Sequence, residues 1–204
     1  MSCKAISNQI INRLSTKTDI NMEYRDIYSY ALEKYISGLV NIIIFAAVAL
    51  FLRIPLETAV IFIFYAPLRK FAGGIHAKTR LQCTILSAII MILLVYAAKL
   101  CSLSVNWPLI AAAGTVLSIV LVFLFAPVDS EKRRLSRETK VRFKSLSRRI
   151  VLLEGVLIIL GIFLLPSAKT FILIAVMAIL LSGILILPYK KNKEVKKYEK
   201  ESDE

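Results

Sequence analysis

Histidine occurs once in the 204 residues, at His76, and cysteine three times, at Cys3, Cys83 and Cys101. Structural zinc takes four Cys or His ligands and catalytic zinc three protein ligands, so no metal is expected, and no other cofactor. An odd, widely spaced set of cysteines gives neither a disulfide framework nor a CxxC pair. Seven glycines and six prolines exclude a collagen-like or low-complexity chain. Negative charge is scarce as well: 14 Asp and Glu stand against 27 Lys and Arg, a formal net charge of +13. The first 35 residues lack an uninterrupted apolar run, so a secretory signal peptide is not expected there.

What is abundant is apolar surface. Hydrophobic residues make up 57% of the chain, against about 45–50% in soluble domains. That excess excludes a disordered basic protein and does not suit an ordinary soluble enzyme. Six apolar runs stand out: 36–52, 54–68, 83–100, 107–127, 150–166 and 170–188. At about 15–21 residues each they reach roughly 22–32 Å as helices, near the 30 Å of a hydrocarbon core. All six prolines fall at the proposed run ends, and Arg53, Pro55 and Glu57 divide the first two runs into a helical hairpin. The expected fold is all-α, a polytopic integral membrane protein of about six transmembrane helices. Segment 1–35 would precede them as an amphipathic helix on the membrane interface, broken near Ser15–Asp19, or as a looser tether.

Lysine and arginine fix the expected orientation. Of the 27, 24 lie in segments 1–35, 69–82, 128–149 and 189–204, leaving Arg53, Lys99 and Lys169 outside. The positive-inside rule then puts both termini and the 69–83 and 128–149 loops in the cytoplasm. The domain reading is 1–35 interfacial, 36–188 transmembrane and 189–204 a Lys-rich tail.

Chemistry concentrates between the second and third spans. The stretch Arg69-Lys70-Phe71-Ala72-Gly73-Gly74-Ile75-His76 holds the single histidine, and Cys83 opens the next span seven residues later. A Cys–His pair is the minimum for nucleophilic catalysis, with the imidazole taking the thiol proton. Nearby basic residues and a helix N-terminus would favour the thiolate. A histidine at a membrane interface also serves as a polar anchor, and a helix-end cysteine as a small hydrophobe; the residues alone leave both readings open.

The run Arg69…Gly73-Gly74-Ile75-His76-Ala77-Lys78-Thr79…Cys83, followed by Ala126-Pro127 and a basic loop, resembles the accessory gene regulator B (AgrB) family. The resemblance covers nearly the whole chain. It departs at Arg133-Arg134-Leu135, where many relatives carry a Lys-Pro-Leu-like stretch. It implies a membrane cysteine endopeptidase of the bacterial cell membrane that trims the precursor of a quorum-sensing peptide. The family's catalytic residues fall on His76 and Cys83, and its motif arginine and glycines on Arg69, Gly73 and Gly74. Lys70 is a neighbouring candidate for substrate binding. The implied partner is a precursor with an amphipathic segment and an acidic C-terminal tail, released as a thiolactone or lactone ring. Membrane lipids are further partners, a homodimer is one allowed state, and nucleic acid is not expected. A small peptide transporter and a membrane scaffold are the competing readings.

Two carboxylates fall within spans, and an intramembrane acid is a functional candidate by default. Glu154 is expected either to orient His76 or to pair with Arg148 or Arg149. Glu57 is expected to pair with Arg53 or face the outer interface. Finally, seven residues of unbroken helix span about 10 Å, too far for a base that must come within roughly 3 Å. The backbone is therefore expected to break between His76 and Cys83, with a cap near Thr79 or Gln82 and Cys83 in the first turn of the third span.

Overall fold

The computed structural model describes residues 9–10, 25–73, 79–128 and 137–187. His76, Gly74, most of segment 1–24, the 129–136 part of the basic loop and the tail from 188 lie outside the described residues. Among the described residues six long helices follow in order: α1 Arg25–Phe51, α2 Pro55–Ala72, α3 Arg80–Ser102, α4 Trp107–Phe125, α5 Arg137–Leu164 and α6 Lys169–Ile184, with a 3-10 turn at Pro166–Ala168 before α6. The protein is an all-α polytopic membrane protein. Four stretches are long and apolar enough to cross a bilayer: Ala31–Phe51, Leu81–Ser102, Trp107–Phe125 and Pro166–Ile184. The other two helices carry more charge. Glu57, Arg69 and Lys70 sit in α2, and the apolar part of α5 starts at Arg148 and Arg149 and contains Glu154.

The chain up to Pro55 and the chain from Leu56 onward form two compact units. In the first, α1 runs 27 residues through residue 35 without interruption, about 40 Å and so longer than the hydrocarbon core. Its end is closed by paired bonds, Ile54 N–H to the Ala49 carbonyl at 2.8 Å and Arg53 N–H to the Leu50 carbonyl at 3.1 Å. Arg53 takes the left-handed conformation, φ 57°, that this helix stop requires and that glycine usually supplies.

In the second unit α6 is the central helix, packed against α3, α4 and α5. It is buried from Ile172 to Val176 and again at Ala178, Ile179, Ser182 and Gly183. Small residues let the axes approach: a Cβ on Gly114 of α4 would collide with Val176, and one on Gly183 would press on Leu121. The buried hydroxyls of Thr115, Ser118 and Ser182 donate to carbonyls one turn back on their own helices, so they add no unpaired polar group to the core.

Two expectations are corrected. Pro67 does not end a helix; it lies inside α2. Its missing N–H removes one bond, but the helix continues because Leu68 and Ala72, both fully buried, anchor the next turn. The segment 128–149 is not all loop, since residues 137–149 form the first turns of α5. Charged residues there hide the helix from a hydropathy reading, though Lys and Arg are good helix formers.

Candidate functional site

The end of α2 is built to turn sharply. Gly73 takes φ 78°, and its N–H bonds the Arg69 carbonyl at 3.3 Å, the single-bond form of a left-handed helix cap. The Arg69 guanidinium returns the contact, donating from Nη1 to the Gly73 carbonyl at 2.7 Å. A cation on the last carbonyls also suits the helix dipole. Arg69 is thus a brace for the turn, and Lys70 stands exposed with its Nζ 5.5 Å from the Phe71 ring centre.

The exit of α4 lies against this turn. Val128 N–H donates to the Ala72 carbonyl at 3.0 Å, and Gly73 and Val128 form a parallel bridge. A side chain at Gly73 would meet the Val128 carbonyl oxygen head on, so both the conformation and the space require glycine. Phe143 of α5 adds an edge-on contact to Phe71, ring centres 5.5 Å apart. Arg148, also on α5, holds the α4 end from the other side: Nη2 donates to the Phe123 carbonyl at 3.0 Å and the guanidinium lies 4.9 Å from the Phe123 ring centre.

Beyond the undescribed residues 74–78 the chain re-enters helix at a cap. Thr79 is extended, φ −117° and ψ 154°, and its hydroxyl accepts from Gln82 N–H at 3.3 Å. Cys83 N–H closes the first turn of α3 on the Thr79 carbonyl at 3.1 Å. The expected break between residues 74 and 83 is therefore present, and Cys83 is in the first turn, half-buried and free. Tyr65, one turn before Arg69 on α2, has Arg69 and Cys83 as electrostatic neighbours. Cys83 thus opens the helix that follows the Arg69–Gly73 turn in the chain. Cys101, 18 residues further along α3, is about 27 Å away.

The carboxylates differ from expectation. Glu57 pairs not with Arg53 but with Lys99 of α3, at 3.2 Å, at the opposite end of these helices from Cys83. Glu154 does not pair with Arg148, whose Nη2 is bonded to the α4 terminus; the Glu154 Oε2 and the Arg148 Nε are both buried without a hydrogen-bond partner among the described residues. Whether it faces His76 falls outside those residues. Sequence reasoning missed Tyr65, Val128 and Phe143 as parts of this locality. Only Tyr65 carried a usable signal, its i,i+4 spacing to Arg69.

The family model described as Accessory gene regulator B matches residues 7–186. An AgrB-like protein of Clostridium perfringens strain SM101 is 30% identical over 185 residues, 88% of this chain and 86% of its own length. The AgrB-like protein 2 of strain 13 is 32% identical over 165 residues, 78% of this chain and 77% of its own. An AgrB-like protein of Listeria monocytogenes is 32% identical over 148 residues, 72% of this chain and 69% of its own. No solved structure matches.

Proposed function

The chain belongs to the accessory gene regulator B family, which acts in quorum-sensing peptide processing, and on that footing we propose that it is a cysteine endopeptidase. In this reading Cys83 is the nucleophile and His76 the base. The imidazole takes the thiol proton as sulfur adds to the scissile carbonyl. The C–N bond then breaks, and the same proton goes to the departing amine of the C-terminal tail. The retained peptide is left as a thioester on Cys83. A thiol or hydroxyl within that peptide displaces Cys83, whose sulfur recovers a proton, and the ring closes as a thiolactone or lactone. Water must be kept out, because thioester hydrolysis is strongly downhill whereas closure to a thiolactone is nearly an even exchange.

The observation that supports the reading is the backbone break at the Thr79 cap, which leaves Cys83 in the first turn of α3, the helix that follows the braced Arg69–Gly73 turn in the chain. The precursor in this account offers an acidic tail to the basic segment 128–149. The catalytic loop and both termini face the cytoplasm of a bacterial cell membrane, in keeping with the distribution of 24 of the 27 Lys and Arg. The test is co-expression with the precursor. Cys83→Ala and His76→Ala should insert normally and leave the precursor uncut, while joint replacement of Cys3 and Cys101 should leave cleavage intact. Cleavage by the Cys83 variant would end the reading.

A further inference from the structure

Three elements meet where α2 ends, and their contacts close into a triangle. The α4 exit is tied to the α2 end by the Val128 N–H bond to the Ala72 carbonyl at 3.0 Å and by the Gly73–Val128 bridge. The α2 end is tied to α5 by the edge-on Phe71–Phe143 pair, ring centres 5.5 Å apart. Arg148 ties α5 back to α4, its Nη2 donating to the Phe123 carbonyl at 3.0 Å. Phe143 and Arg148 are five residues apart on α5, about 140° around the helix, so one reaches α2 while the other reaches α4.

Arg148 is aimed by packing. Gly155, two turns further along α5 and on the same face, lies against α4, where an added Cβ would come within 3.1 Å of the Ile119 side chain. That close approach brings Arg148 to the last turn of α4. There the Ala126 N–H takes the Val122 carbonyl at 3.0 Å, and the next carbonyl, of Phe123, is one of those a helix end leaves unpaired. The guanidinium supplies the missing donor and lies 4.9 Å from the Phe123 ring centre, a placement that also suits the dipole of the α4 C-terminus. Val128 follows Phe123 by five residues, so this cap fixes where the bridge to Gly73 is made. His76 in turn follows Gly73 by three residues, a reach of at most about 11 Å. The bridge therefore sets the point from which the imidazole can approach Cys83.

We propose that Arg148 and Phe143 are positioning residues for catalysis: from α5 they hold the α4 exit and the α2 end in the register that makes the Gly73–Val128 bridge, and the bridge anchors the chain that carries His76. Arg148 acts through Phe123 and Val128, Phe143 acts through Phe71, and both converge on Gly73. An arginine at the cytoplasmic boundary otherwise serves only as a topology signal, and a phenylalanine there only as a packing contact. The closed triangle gives each a part in placing the base, where a displacement of about 1 Å costs on the order of 10²-fold in rate.

The proposal rests on Cys83 and His76 being nucleophile and base, and one assay separates the two ideas. Purified full-length protein in nanodiscs is given synthetic precursor. Then kcat, KM and the unfolding temperature are measured for the wild type, Arg148→Met, Phe143→Leu, Phe143→Tyr, the Arg148→Met/Phe143→Leu double variant and Cys83→Ala. Well below the unfolding temperature, Arg148→Met and Phe143→Leu should each lower kcat by about 10- to 10²-fold with KM unchanged. Phe143→Tyr keeps the aromatic contact and should stay near the wild type. Because both contacts serve one triangle, the double variant should lose less than the product of the two single losses. Unchanged kcat in both single variants would overturn the proposal, as would single losses that simply multiply in the double variant. So would a loss that vanishes on cooling, which marks a purely structural role, or a raised KM with kcat intact in Arg148→Met, which marks a contact to substrate. If Cys83→Ala retains cleavage, it is the nucleophile assignment that fails.

Discussion

Gly73 and Val128 hold two distant parts of the chain together through their backbones, with Gly73 in a left-handed conformation and its missing side chain leaving room for the Val128 carbonyl. Replacing Gly73 by Ala should therefore cost twice. The left-handed backbone alone accounts for about 1–2 kcal/mol, and the clash forces Val128 away. Precursor cleavage should fall severely, and the melting temperature in detergent should drop. Gly38→Ala is the matched control: nothing lies within 4 Å of the added carbon, and alanine is the better helix former. Wild-type cleavage by Gly73→Ala would show that the bridge does not matter to the site.

Arg69 separates a charge role from a bracing role. Lysine keeps the positive charge but lacks the planar fork that reaches the Gly73 carbonyl. Arg69→Lys should behave nearly like Arg69→Ala, with reduced kcat. If lysine restores cleavage, Arg69 acts as a charge toward substrate.

At the other end of the same helices, Glu57→Gln should weaken stability without touching kcat. The Lys99 side chain is 45% exposed, so the expected loss is only on the order of 0.2–1 kcal/mol. Exchanging the two charges, Glu57→Lys with Lys99→Glu, should recover most of it. The measurement is thermal unfolding of both variants in the same detergent.

Lys140, Arg142 and Lys144 are exposed on the first turns of α5. Reversing their charges should raise KM for a precursor with an acidic tail more than it lowers kcat. The wild-type KM should rise with salt, because attraction between exposed charges is screened beyond about 10 Å at 0.1 M. A KM indifferent to salt would reduce this surface to a determinant of topology.

Local pattern made most of the helices legible. Apolar runs fix α3, α4 and α6 closely, and Thr79 announces its cap by residue type. The break before Cys83 follows from reach once His76 is taken as its base, because seven residues along one helix is too far. What stayed hidden depends on partners distant in sequence. Nothing near Glu57 points to Lys99, and nothing near Arg148 points to the Phe123 carbonyl. Pro67 reads as a terminator by its chemistry, yet burial of Leu68 and Ala72 carries the helix past it. The first half of α5 is too charged to register as a span and too exposed to show an apolar stripe.

The central claim is that Cys83 carries the peptide as a thioester, and intact-protein mass spectrometry tests it most directly. Precursor lacking its ring-closing nucleophile, mixed with the protein and quenched in acid, should add the mass of the tail-less peptide. Fragmentation should map that mass to Cys83, hydroxylamine should remove it, and the Cys83→Ala variant should not acquire it. Tail release at an undiminished rate by the Cys83→Ala variant, with no adduct on any cysteine, would contradict the account.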